Sequence, residues 1–497
     1  MDPRRQDNHN TPKAPRQARN VTQDAVVVVP GIMGSELKET TTGRTIWGLS
    51  GASWLLKAWL TPKGLKPLQL TEDELEGRYG RVRPAGLLRA SAWTPYFQGV
   101  EPYRALVDAV GSCVADPAAV LQFGYDWRLP VAVNARLLAD AARTHLTAWR
   151  RHPAHDAARR HRVDERPARL VFVAHSMGGL VTRAALDPAY DSDLAADTRA
   201  VYTLGTPFSG AVKATAILNS GRGAPMPLPH VQLRTAAATM PGLYDLLPQY
   251  RCLHSNGDVR RLTPGDIAAI GGLAPLAEAA DAFHRDQKGL PLPGHRAVVG
   301  TTQPTWQSLT IRDGVVETHH HGVRQHSNGD FIRDSRGRPR LFDVQGDGTV
   351  YKESASLGPA ITPLPLHHGA VASDPVALNL VKEMLREDEH LGPPQGTPGC
   401  GLDVPDLVEA GSAWTVTLND VDSLSGIDCQ VTDVETGHTM TPQFGWQDGE
   451  LVAGVTVDRP GLYRVTVRTI DARLITELVL AAPPKASGAE EPSDRVS

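Results

Sequence analysis

The stretch RLVFVAHSMGGLVTRAALD (169–187) constrains the fold more than any other part of the chain. Residues 170–174 form a continuous apolar run, as expected of a strand buried on both faces of a parallel sheet. From Met177 the apolar residues fall at helical spacing, so a strand runs almost directly into a helix. That junction needs a tight turn, and the residues two before and two after its serine are small, Ala174 and Gly178. Such a turn projects the serine Oγ away from the sheet, with the unpaired N–H groups and positive dipole end of the helix behind it. Ser176 is therefore the candidate nucleophile, with Ala174 standing where the common form of the motif has glycine.

The same alternation extends on both sides. AVVVVP (25–30), 119–127, 200–205 and 296–300 read as strands, and 102–112 and 133–151 as amphipathic helices. Short apolar strands alternating with helices imply an α/β class with a mostly parallel sheet covered on both faces. The stretch between Gly205 and His295 is too long for an ordinary connection, so a cap insertion is expected at about 206–294. After a Pro/Gly-rich linker at 391–401, short strands at 413–418, 428–434, 451–457, 462–468 and 472–481 predict an immunoglobulin-like β-sandwich over 402–482. The larger α/β domain then spans 24–390, between a polar arm (1–23) and tail (483–497) expected to be disordered.

Composition narrows the function classes. With 41% hydrophobic and 21% charged residues the chain can bury a large core, and a net charge of −4 offers no basic field for nucleic acid. The four cysteines are far apart and form no CxxC pair. The first residues lack the apolar run of a secretory signal, and no segment is apolar enough to span a bilayer. A cytoplasmic location is the expectation.

A serine hydroxyl needs a histidine base and a carboxylate to orient it, and in this fold class they follow in the order Ser, Asp/Glu, His. Gly346-Asp347-Gly348 and His367-His368-Gly369 supply both on loops. Asp347 and His368 are favoured, with Asp343 and His367 as competitors. The developing oxyanion requires backbone donors. Met177, after the nucleophile, is one, and Ile32, in the Pro30–Ser35 loop that follows the first strand, is the other. Asp126 and Arg128 read as a structural ion pair at a strand end. The His319–His321 run with His326 does not have the spacing of a tetrahedral site, so no metal is expected.

VVVVPGIMGSEL, YDWR (125–128), AHSMGG, LGTPFSG (204–210), MPGLYDLLP (240–248) and GDGTV, in that order, resemble the lecithin:cholesterol acyltransferase family, which includes lysosomal phospholipase A2 and phospholipid:diacylglycerol acyltransferases. The resemblance covers about 24–388. It implies an α/β-hydrolase fold with cap and mobile lid, a Ser176–Asp347–His368 triad, and Ile32 and Met177 as oxyanion donors. The chain departs from the animal members in having no cysteine between Gly31 and Gly99. In the lid region, IWGLSGASWLLKAWL (46–60) makes Trp47, Trp54, Leu55 and Trp59 candidates for an interfacial or acyl-binding surface. Packing onto the cap is the competing role for that segment.

The expected activity is serine-dependent hydrolysis of lipid acyl esters, of lipase or phospholipase A type, through an acyl-Ser176 intermediate and without a cofactor. Transfer of the acyl group to a lipid alcohol is the alternative. A catalytically silent binding module, or an effector controlled by a partner, is the rival from a different class. The expected partners are a lipid or acyl-ester substrate, a membrane surface touched transiently, and a protein recruited through the β-sandwich.

Overall fold

The computed structural model describes residues 21–48, 64–88, 102–160, 166–189, 193–222, 229–325, 330–335, 337–358, 360–387, 401–405, 407–419, 427–447, 450–468 and 474–484. A six-stranded sheet organises the larger part. Its strands are β1 (Ala25–Val29), β2 (Val120–Gln122), β3 (Leu170–His175), β4 (Thr198–Leu204), β5 (Arg296–Gly300) and β6 (Ile361–Leu364), in the spatial order β2-β1-β3-β4-β5-β6. Every pairing is parallel. β1 is wholly buried, which explains its unbroken valines: both faces are covered and neither tolerates a polar residue.

The covering helices follow the apolar spacing. In Val131–Arg150 the residues Val131, Ala135, Leu138, Ala142, Leu146 and Trp149 are buried at three- and four-residue intervals. This helix packs on Met177–Ala185, the helix that leaves β3. In open α/β sheets ligands bind outside the carboxyl ends of the strands, near the point where strand order reverses. Here that point lies between β1 and β3, and Ser176 follows β3 directly.

The anticipated strand 119–127 is shorter, ending at Gln122. The chain leaves the sheet there because Tyr125–Arg128 finds its partners in the Pro30–Ser35 loop and at Glu74 rather than in a neighbouring strand. The region 206–294 holds helices Val212–Ser220, His230–Ala237 and Ala274–Asp286. It also holds two short strands, which join Ser308–Arg312 and Val315–His319 in a separate four-stranded sheet.

Beyond residue 400 the regular elements among the described residues are all strands. One sheet contains Gly401–Asp403, Ala413–Asn419, Glu450–Thr456 and Gly445–Gln447. The other contains Leu407–Glu409, Leu474–Ala482, Gly461–Arg468, Asp428–Asp433 and Thr439–Met440. Side chains from both, among them Val416, Leu451, Val465 and Val479, form one buried cluster. Alternation puts every second residue of these strands into it.

No helix among the described residues is long and apolar enough to cross a membrane.

Candidate active site

Ser176 occupies a backbone conformation rare for a residue with a side chain, φ 51° and ψ −128°. The strain is imposed by β3 and the helix Met177–Ala185, both anchored in the core. Small neighbours make room for it. A Cβ on Gly178 would lie 2.7 Å from the Val29 carbonyl oxygen, and one on Gly31 would lie 2.8 Å from Ser176 Cβ and 3.3 Å from its Oγ.

The structure brings Ser176, His368 and Asp347 together. Ser176 Oγ is 2.9 Å from His368 Nε2, and His368 Nδ1 is 2.7 Å from Asp347 Oδ2. The other Asp347 oxygen accepts the Thr349 and Val350 amides at 2.9 and 2.6 Å, and its carbonyl accepts the His368 amide at 2.8 Å. The carboxylate is thus held by its own loop before it meets the imidazole. Asp343 is engaged elsewhere, accepting Gln307 Nε2 at 2.7 Å and the Gln345 amide at 2.8 Å. His367 lines the same cavity as the serine, but the ring that meets Ser176 is that of His368.

The loop Pro30–Ser35 is pinned on all sides. Tyr125 Oη donates to the Pro30 carbonyl at 2.9 Å, and Trp47 Nε1 donates to the Met33 carbonyl at 2.8 Å. Trp127 Nε1 donates to the Ser35 carbonyl at 3.3 Å, and the Tyr125 amide donates to Ser35 Oγ at 3.0 Å. The Gly31 amide donates to Tyr103 Oη at 2.8 Å. It is therefore spent inside the scaffold, and Ile32, which lines the cavity with Ser176, carries the next amide along the loop. Met177 begins the helix, where the first amides have no carbonyl four residues back.

Residue-by-residue reading of the sequence did not reach two members of this site. Tyr103 Oη lies 2.7 Å from His175 Nδ1, and His175 Nε2 lies 3.1 Å from the His368 carbonyl. Burial, reinforced by the neighbouring His368, pushes the His175 imidazole down to about 3, so it is neutral. Burial pushes the Tyr103 hydroxyl upward, so it keeps its proton. One set of proton positions fits all three bonds: Gly31 N–H to Tyr103 Oη, Tyr103 O–H to His175 Nδ1, and His175 Nε2–H to the His368 carbonyl. The chain ties the Pro30–Ser35 loop to the loop carrying His368. Tyr103→Phe leaves a buried donor and a buried acceptor unpaired, at about 1–3 kcal/mol each. We expect Tm to fall and kcat to drop tenfold or more with KM nearly unchanged. A loss of stability with kcat intact would make Tyr103 merely structural.

YDWR makes a second scaffold. Arg128, fully buried, pairs with Asp126 Oδ2 at 2.6 Å and Glu74 Oε1 at 3.0 Å. The ion pair read from the sequence thus has a third member, Glu74, itself held in a Thr71 capping box.

In MPGLYDLLP, Asp245 Oδ2 accepts the Val131 amide at 2.7 Å, and burial pushes its carboxyl up to about 7, against 3.8 when unperturbed. Between those values the folded state binds more protons than the unfolded one, so stability falls as pH rises across that window. Asp245→Asn keeps an acceptor for Val131 and carries no charge. Its Tm is expected to match the unsubstituted protein near pH 4 and exceed it at pH 8, by ~1.4 kcal/mol per pH unit crossed at most. An equal difference at both pH values would contradict this.

Trp47 is a buried strand residue, packed edge-on against Trp127 with ring centroids 5.3 Å apart, and it lines the cavity. Trp54, Leu55 and Trp59 lie outside the described residues. His319 and His321 stack at 5.3 Å beside His254, whose Nε2 is 2.8 Å from Ser308 Oγ. Among the described residues no group of His, Cys, Asp or Glu is placed to hold a metal ion.

Ser176, His368 and Asp347 line a cavity of about 900 Å³. Leu68, Leu88, Ile217, Leu233, Met240 and Leu243 contribute to its wall, so an apolar chain can lie against Ser176.

Residues 71–260 match the family model described as lecithin:cholesterol acyltransferase. That stretch includes YDWR, AHSMGG, LGTPFSG and MPGLYDLLP; Ile32, Asp347 and His368 lie outside it. No curated protein matches the chain. Among solved structures, that titled "The crystal structure of Tle4-Tli4 complex" aligns with 16% identity and a TM-score of 0.48, covering 74% of this chain and 98% of that one.

Proposed function

Because the chain belongs to the lecithin:cholesterol acyltransferase family, we propose that it is a serine-dependent hydrolase of lipid acyl esters, working as a lipase or phospholipase A. The observation that carries this reading is the Ser176–His368–Asp347 line, at 2.9 and 2.7 Å, facing an apolar cavity. Ser176 Oγ attacks the ester carbonyl as His368 Nε2 takes its proton. The charge that develops on the carbonyl oxygen is received by the Ile32 and Met177 amides, each such donor being worth about 3–4 kcal/mol in the transition state. His368 returns the proton to the departing alcohol, leaving acyl-Ser176. Water, deprotonated by the same nitrogen, releases the fatty acid. Every step uses groups of this chain, and the reading calls for no cofactor.

We also assign residues 24–390 to an α/β-hydrolase domain, with the cap at about 206–294, and residues 402–482 to an immunoglobulin-like β-sandwich. The two sheets with one shared core support the latter.

The test is product analysis by mass spectrometry on phospholipid and neutral-lipid mixtures, with and without a sterol or diacylglycerol acceptor. Free fatty acid with the matching lysolipid or alcohol is expected in both cases. A new ester of the acceptor would move the assignment to acyl transfer. Unchanged lipids in every mixture would sink the acyl-ester reading.

A further inference from the structure

The last strand, Leu474–Ala482, serves two cores at once. Val479 and Ala481 point into the cluster shared by the two C-terminal sheets. Leu478 and Leu480, on the opposite face, belong to the large core that also contains β1 and β3. Strand register extends that outer face, since Leu480 pairs with Leu462 on one side and with Leu407 on the other. Leu462 lies in the same large core, and Leu407 packs against it. The outer face of this sheet is therefore covered by the catalytic part of the chain. One edge of the face is open to the catalytic cavity: Leu407 and Leu478 line the space that Ser176 and His368 line, and so do Leu402, from the other sheet, and Val404, both of which also pack on the core between the two sheets.

We propose that the C-terminal β domain is a wall of the acyl-chain site, and that Leu402, Leu407 and Leu478 help set which acyl chains the enzyme accepts. The inference rests on the esterase reading above and adds a ligand subsite to it. A module used only for docking would turn its apolar surface outward. Here the leucines face the cavity of the nucleophile, and their chemistry suits a saturated hydrocarbon chain. One displaced methylene in an apolar pocket changes discrimination by about tenfold or more.

Leu402 and Leu407 are half-buried: each packs on a core with one part and lines the cavity with another, so a larger side chain has the cavity to grow into. The full-length protein and its Leu402→Trp, Leu407→Trp and Leu478→Ala variants are assayed on p-nitrophenyl acetate, octanoate and palmitate. The readout is the palmitate-to-acetate ratio of kcat/KM. It is expected to fall about tenfold in each tryptophan variant and to move by less, through altered fit, in Leu478→Ala. A ratio unchanged in all three folded variants overturns the proposal. A second measurement does not depend on turnover: binding of a fluorescent fatty acid to the Ser176→Ala protein with and without Leu407→Trp. Weaker binding with tryptophan present supports the wall even if no ester is cleaved, a result that would count against the esterase reading alone. Equal binding, or none to either protein, overturns the wall.

Discussion

Ser176→Ala is expected to lower kcat by about five to six orders of magnitude and to abolish covalent labelling by a fluorophosphonate probe. The fold should survive, because alanine removes only Oγ and adds nothing to a turn held by β3 and the following helix. The strained φ of 51° costs alanine about what it costs serine. What disappears is the hydroxyl that lies 2.9 Å from His368 Nε2. Residual activity of ~10³ over water would reflect the oxyanion donors and substrate positioning, which the substitution leaves in place. Intact-mass spectrometry after probe treatment reads the outcome directly. A labelled Ser176→Ala protein would show that the nucleophile lies elsewhere.

Asp347→Asn should cost about 10⁴ in kcat while leaving Tm nearly unchanged. The geometry dictates which way the amide turns. Thr349 and Val350 both donate to Asp347 Oδ1 and require an acceptor there, so the asparagine oxygen stays with them. Its NH₂ group must then face His368 Nδ1, at the position now 2.7 Å away. Two donors cannot share a bond, so His368 is driven to the tautomer with its proton on Nε2, pointing at Ser176. A base already carrying a proton on that nitrogen cannot take the serine's. Steady-state kinetics on a p-nitrophenyl ester measures the loss. Asp343→Asn, at a carboxylate bonded to Gln307 and Gln345, serves as the comparison. A large effect there with a small one at Asp347 would transfer the orienting role to Asp343.

Both effects concern residues visible in the one-dimensional chain, and their visibility has a physical basis. A buried parallel strand must be apolar throughout, and a tight strand-to-helix turn must have small flanks, so β3 and Ser176 are written in adjacent residues. The AVVVV strand and the helix periodicities are legible for the same reason. Asp347 and His368 are accessible through chain order and Gly-flanked loops, whereas choosing them over Asp343 and His367 depends on bond distances that the chain does not display.

Other members of the site leave no such local trace. Tyr103 meets His175 across 72 residues, and Glu74 meets Arg128 across 54. YDWR could be read as a structural pair at a strand end. Its service to the Pro30–Ser35 loop required seeing Tyr125 and Trp127 against Pro30 and Ser35. The strand expected over 119–127 stopped early for the same reason, since its polar groups are satisfied by a loop rather than a ladder.

The sequence by itself therefore determined the alternation of strands and helices, the tight turn at Ser176 and the chain order of Ser176, Asp347 and His368. These depend on burial and backbone conformation, which act on near neighbours. The tertiary structure alone decided that His368 meets Ser176 and Asp347 meets His368, what braces the Pro30–Ser35 loop, and that Leu402, Leu407 and Leu478 line the cavity beside Ser176. Those outcomes depend on long-range contacts between side chains, and nothing in a strand's two-residue alternation tells which surface its outer face will meet.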